Sequence, residues 1–166
     1  MEIKKIDAYL AIRGSENTQY LAGVDPSRLA LSRRASKPIM DIFHKRSAKG
    51  ELPWCGTQFP TASAAQDAGM SLSDYEDFVY GAGHVVRGDP VKHWKKVNKE
   101  QQRLIKKLSR VDVIRLRSND TDLTVRVKGR KWINCAGEFN FPDGEIFTGP
   151  IENSVEGHIR FSFPAV

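Results

Sequence analysis

The chain has 166 residues, 40% of them hydrophobic and 28% charged, with a formal net charge of +6. That balance is ordinary for a globular protein and excludes disorder, and the length suits one domain or the joined parts of two, burying about 70% of the unfolded surface. No apolar run approaches the ~20 residues that cross a bilayer, and the opening MEIKKIDAYLAIRG lacks the apolar stretch of a signal peptide. A cytoplasmic location with no membrane contact is therefore expected.

Residues 6–13 mix apolar and β-compatible side chains and then meet Gly14, Ser15, Glu16 and Asn17, which predicts a short strand followed by a turn. Asp25 and Pro26 start a helix, the carboxylate capping free amides and proline occupying the first helical position. Pro38 should break or restart that helix, leaving Ile39, Ile42 and Phe43 as the apolar face of its second part. Residues 52–59 read as a buried strand ended by Pro60. Residues 62–68 form a short helix by propensity, closed by Gly69. Ser71 or Ser73 can then cap a helix with Tyr75, Phe78 and Val79 on one side.

Asp89 and Pro90 repeat the cap-plus-proline signal. After them Trp94, Val97, Gln101, Leu104, Leu108 and Val111 recur at intervals of three and four, the period of one helix face. From Asp112 the period changes to two. Ile114 and Leu116, then Leu123, Val125 and Val127, then Ile159, Phe161 and Phe163 each fall on one side of a strand. Turns are marked by Asn119 and Asp120, by Gly129, by Gly137, and by Pro142, Asp143 and Gly144. The fold class is thus α/β, with several helices followed by a β-rich segment, and the boundary between domains is expected near residue 111.

The positive charge is local. Residues 1–90 carry equal numbers of basic and acidic side chains, whereas residues 91–110 hold eight basic residues against the single Glu100. Lys92, Lys95, Lys96, Lys99, Arg103, Lys106, Lys107 and Arg110 occupy the polar faces of the predicted helix, and no aromatic residues interleave with them. A solvated face is the ordinary meaning of such a run, and no nucleic-acid partner is expected.

Cys55 and Cys135 stand outside any CxxC pairing, so reduced thiols are expected, and no histidine or acid is tied to Cys55 as a nucleophile's base would be. Gly81 and Gly83 follow a helix and lack the GxGxxG frame, which makes them a helix end rather than a phosphate loop. The histidines His44, His84, His93 and His158 show no close metal spacing. Glu156 and His158 would share one strand face, and an exposed polar face explains that pair as well as a weak two-ligand site. Glu145 differs in context: the turn at Pro142, Asp143 and Gly144 delivers it onto the β-compatible Ile146, Phe147 and Thr148. A carboxylate at a turn–strand junction has restricted freedom, which suits a metal ligand. Spacing by itself still favours an exposed hairpin glutamate, since turns often carry acids.

The segments LPWCGTQFPT, AQDAGMSLSDYEDFVYGA, TDLTVRVKGRKWINCAGEFNFPDGEIFTGP and SVEGHIRFSFPA, taken in order, resemble the thermophilic metallo-aminopeptidase family, that of aminopeptidase T and aminopeptidase S. The likeness runs from about Leu21 to the end and is most specific in TDLTVRVKGRKWIN and NFPDGEIFTGP. It implies that residues 1–110 are the C-terminal part of an N-terminal α/β domain and that residues 111–166 begin the metal-binding catalytic domain. It also implies hydrolysis of N-terminal residues from peptides at a site of two divalent metals, cobalt, zinc or magnesium by member. Such metals would lower the pKa of a bridging water and polarise the scissile carbonyl.

Glu145 matches the family's ligand in the EIFTGP motif. The family's other ligands, a second glutamate, histidines and an aspartate, lie further along its sequence than Val166, and His158 matches none of them. This chain is therefore expected to be a piece of the enzyme that binds metal weakly and is inactive alone. The alternative is a non-catalytic remnant acting as a binding or dimerisation module, and a homodimer is compatible with either.

Overall fold

The computed structural model describes residues 2–162. The chain divides into two compact units: Met1–His93 with Ala136–Asp143, and Trp94–Cys135 with Gly144–Val166. The chain passes from one unit to the other at residues 93/94, 135/136 and 143/144. The first lies inside a helix, and the second unit gives up the loop at Ala136–Asp143 to the first. Hydrophobic periodicity reports the type of element and carries no record of which elements pack together.

The first unit is built on a parallel sheet. Strand β1 (Tyr9–Arg13) pairs in parallel with β2 (Trp54–Gln58), and β2 pairs in parallel with the two-residue β6 (Asn140–Phe141), in the order β1-β2-β6. Parallel neighbours need a long crossover, and α1 (Pro26–Ala48) supplies it between β1 and β2. Asp25 caps α1 as expected, accepting from the Ser27 amide at 2.7 Å. Further along, α2 (Ala62–Asp67) is capped by Thr61 and α3 (Leu72–Ala82) by Ser71; Gly83 closes α3 as expected, whereas Gly81 lies within its last turn.

Pro38 does not break α1, contrary to the expectation from its missing donor. Every residue from Leu31 to Met40 is exposed, so the Arg34 carbonyl that loses its partner is not buried by the loss. Lys37 and Asp41 also bridge the proline with an i,i+4 ion pair at 2.7 Å. Downstream, Phe43 meets Tyr9 and Trp54 edge-on at 5.7 and 5.8 Å, and Trp54 continues to Phe139 at 5.6 Å, an aromatic chain running from helix to sheet. The Arg46 guanidinium donates to the Ile3 and Ile6 carbonyls, both at 2.8 Å, and to that of Glu51 at 3.1 Å. It thereby satisfies three main-chain acceptors, one of them next to the fully buried Leu52.

The second unit takes most of α4 (Pro90–Leu108), whose start is capped by Asp89 accepting from the Lys92 amide at 3.0 Å. Strands β3 (Val113–Ser118) and β4 (Thr121–Arg126) form the expected hairpin. Its register sets Ile114 opposite Val125 and Leu116 opposite Leu123. Beyond β4, Val127 is buried, completing the alternating apolar row.

Strand β8 (Glu156–His158) adds to the other side of β4. It is shorter than the period-two pattern predicts. Ile159 and Phe161 lie outside any strand and are exposed, and Phe163 falls outside the described residues. The cause is local: the Arg160 amide turns to donate to the buried Thr121 hydroxyl at 3.0 Å, and the Arg160 guanidinium pairs with Asp120 at 2.8 Å. The ladder therefore stops at His158.

Candidate metal centre

Glu145 opens β7 (Glu145–Phe147), which pairs antiparallel with β5 (Ile133–Cys135). The register places Ile133 opposite Phe147, Asn134 opposite Ile146 and Cys135 opposite Glu145. A two-stranded ribbon this short needs clamps, since three residue pairs cannot hold it alone. At one end the Thr148 hydroxyl donates to the Lys131 carbonyl at 2.8 Å, and Arg130 Nε donates to the Gly149 carbonyl at 2.7 Å. At the other end the Gly144 amide donates to the Cys135 carbonyl at 3.1 Å. Along β5, Asn134 Nδ2 donates to the Asn98 carbonyl of α4 at 3.3 Å, which ties the ribbon to the longest helix of its unit.

Gly144 carries φ +126, a conformation that L side chains rarely adopt, and this lets the turn pass into β7 within one residue. Glu145 is exposed at the strand start, whereas Cys135 is 2% exposed. As a cross-strand pair, the Cys135 sulfur and a Glu145 carboxylate oxygen come within 4.8 Å of one another. A thiol and a carboxylate are two donors of different softness, and a divalent cation such as zinc accepts either.

Of the residues singled out in the sequence, Glu145 stands at the turn–strand junction expected for it. Asp143, two positions earlier, belongs to the first unit, where its carboxylate accepts from the Asn140 amide at 3.3 Å and closes the turn. Cys55 lies on β2, and burial pushes its thiol pKa up, with the Asp143 charge adding to the shift. A raised pKa leaves less thiolate at neutral pH, which agrees with its exclusion as a nucleophile.

Glu156 and His158 are both on β8 and exposed, but Gly157 between them has φ +110, so the regular pleat that would align their side chains is interrupted. Among the described residues no histidine joins a cluster of three metal-capable side chains. Sequence reasoning missed Cys135 as the neighbour of Glu145 and Arg130 as the clamp. Ten positions and an intervening loop separate Cys135 from Glu145, and no periodic signal spans that gap.

The β5–β7 ladder thus sets a thiol beside a carboxylate, two groups able to ligate a divalent cation, on a scaffold of mixed helices and strands. The sequence matches the thermophilic metalloprotease (M29) family over residues 2–166, and the chain belongs to that family, whose members are metallopeptidases. Among solved structures, wild-type AmpT from Thermus thermophilus has a similar fold, with a TM-score of 0.71 at 21% identity over 90% of this chain. The chain spans 40% of the length of that structure. No curated protein matches the sequence.

Proposed function

We infer that the chain is part of a metal-dependent aminopeptidase that removes N-terminal residues from peptides, and that Glu145 is one of its metal ligands. The observation that carries this is the placement of Glu145 at the head of β7, directly across from Cys135, within a family-wide match. When bound, two divalent cations, cobalt, zinc or magnesium, would supply an activated water and polarise the scissile carbonyl. The ladder of β5 and β7 limits the freedom of the Glu145 backbone, and the Arg130 and Thr148 clamps keep that ladder in register.

The donor set fits only part of a coordination sphere. Cys135 and Glu145 offer two donors within the second unit, whereas a structural zinc takes about four and a hard cation six or more. By itself the chain therefore holds metal weakly and does not turn over peptides. The same shortfall favours, as a second reading, a binding or dimerisation module that keeps the scaffold without the chemistry.

In the catalytic reading, residues 1–110 correspond to the end of an N-terminal α/β domain and residues 111–166 to the start of the metal-binding domain. The cytoplasm is the proposed compartment, in keeping with Cys55 and Cys135 being thiols rather than disulfide partners. No described helix is long and apolar enough to cross a membrane.

The test is cobalt titration into the purified chain, followed by the cobalt–thiolate charge-transfer band and by calorimetry. Glu145→Gln should weaken binding with no change in the far-UV spectrum, and Cys135→Ser should abolish the band. Equal affinity of Glu145→Gln and the unaltered chain would remove Glu145 from the ligand set.

A further inference from the structure

Helix α4 carries a charge arrangement that the metal centre does not use. Within the second unit its basic residues are Lys95, Lys96, Lys99, Arg103, Lys106 and Lys107, all exposed. At 3.6 residues per turn these six positions fall within an arc of about 120° and form one band that spans about 18 Å along the axis. Their counter-charge is almost absent. Lys96 meets Glu100 at 3.9 Å, and the other five have no ion-pair partner among the described residues. Elsewhere in the unit Arg115, Arg130 and Arg160 are each paired with an acid, so the available acids go to isolated arginines and not to this helix face.

Like charges three and four residues apart repel along a helix. The row holds five such neighbouring pairs, and a ligand bringing matched negative charge would relieve all of them together. The opposite side of the helix does not compete for that ligand, because Trp94, Val97, Ile105 and Leu108 are half-buried there. This burial also excludes a membrane-lying mode, in which the apolar side would have to enter the lipid.

We propose that the α4 row is a docking surface for an acidic polypeptide segment, one bearing glutamates or aspartates at three- and four-residue spacing. Charge spacing selects this occupant over nucleic acid. Along the helix axis the row places charges about 4.5–6 Å apart from turn to turn, the spacing of carboxylates on one face of a second helix. Duplex phosphates wind away from a straight rod, and the arc contains no amide or aromatic side chain to read or stack on a base.

The experiment titrates the full chain with a poly-glutamate peptide and, separately, with a DNA duplex of equal total charge, at about 50 mM and about 200 mM salt. The peptide should bind saturably and weaken roughly tenfold across that range, because exposed charges are screened within about 10 Å at such salt. Lys99→Glu with Arg103→Glu should cost at least roughly tenfold in affinity, since truncated or reversed charge pairs at interfaces have effects of that order.

Arg117→Glu with Lys131→Glu makes the same change in net charge away from the helix and should leave binding within about twofold, because only the row is matched to the ligand. If the first pair disturbs the far-UV spectrum, Lys106→Glu with Lys107→Glu, which makes the same change in net charge, serves in its place. The proposal is overturned by absence of saturable peptide binding, by equal losses in the two double variants, or by tighter binding of the duplex than of the peptide at the same salt.

Discussion

Gly144 is the single backbone position on which the proposed metal centre rests most directly, and Gly144→Ala should expose that dependence. Its φ of +126 is a conformation in which a side-chain-bearing residue costs about 1–3 kcal/mol. Packing adds little, because an added Cβ would meet only the Trp94 ring at 4.0 Å. If the backbone relaxes to a negative φ, the Gly144 amide leaves the Cys135 carbonyl, at a further cost of about 1 kcal/mol. The expected loss is about 2–4 kcal/mol in the second unit, with Glu145 displaced from Cys135.

Urea denaturation followed by the fluorescence of Trp94 and Trp132, both in that unit, measures the first effect, and the cobalt–thiolate band reports the second. Gly23→Ala is the control, since Gly23 has a negative φ and nothing within 4 Å of an added Cβ, and it should be neutral or stabilising by up to about 1 kcal/mol. A Gly144→Ala protein within about 0.5 kcal/mol of the unaltered chain and with the same cobalt band would refute the assigned turn geometry.

Pro38→Ala should stabilise the first unit by about 2 kcal/mol, because an interior proline costs a helix about 3 kcal/mol and the more flexible unfolded chain returns part of that. Thermal unfolding checks it, and a destabilised variant would mean that α1 is kinked where it is here continuous. Asp143→Asn should lower the Cys55 pKa by removing the smaller of the two causes that raise it, so Cys55 alkylation at neutral pH should become faster but stay slow. An unchanged rate would show that burial alone controls the thiol.

Arg115 hydrogen-bonds Asp122 and holds its carboxyl below the ordinary value of 3.8. A depressed folded-state pKa contributes stability that is present above the unfolded value and is lost as pH falls through the folded one. The unaltered chain should therefore lose melting temperature below about pH 4, and Asp122→Asn should flatten that acid limb without abolishing it, since Asp25 is also lowered by its cap to Ser27. An identical acid limb in the variant would show that the Arg115 pair is broken in solution.

What the chain determines locally is legible by reading it. Asp25 and Asp89 each precede a proline and each caps a helix, because a carboxylate satisfies orphan amides whatever surrounds it. The hairpin of β3 and β4 follows from alternating Ile114, Leu116, Leu123 and Val125 with Asn119 and Asp120 between them, since turn chemistry and a period of two act over a few residues. The setting of Glu145, a turn feeding a strand, is local in the same way.

Tertiary structure alone decided the rest. Pro38 is tolerated because the surrounding helix is exposed, and exposure is a property of the whole fold. Strand β8 ends at His158 because Thr121 and Asp120 capture Arg160 across 39 and 40 positions of chain. Cys135 became the partner of Glu145 through strand pairing across a loop that belongs to the other unit. Such pairings depend on which distant segments lower their free energy together, and no window of neighbouring residues contains that information.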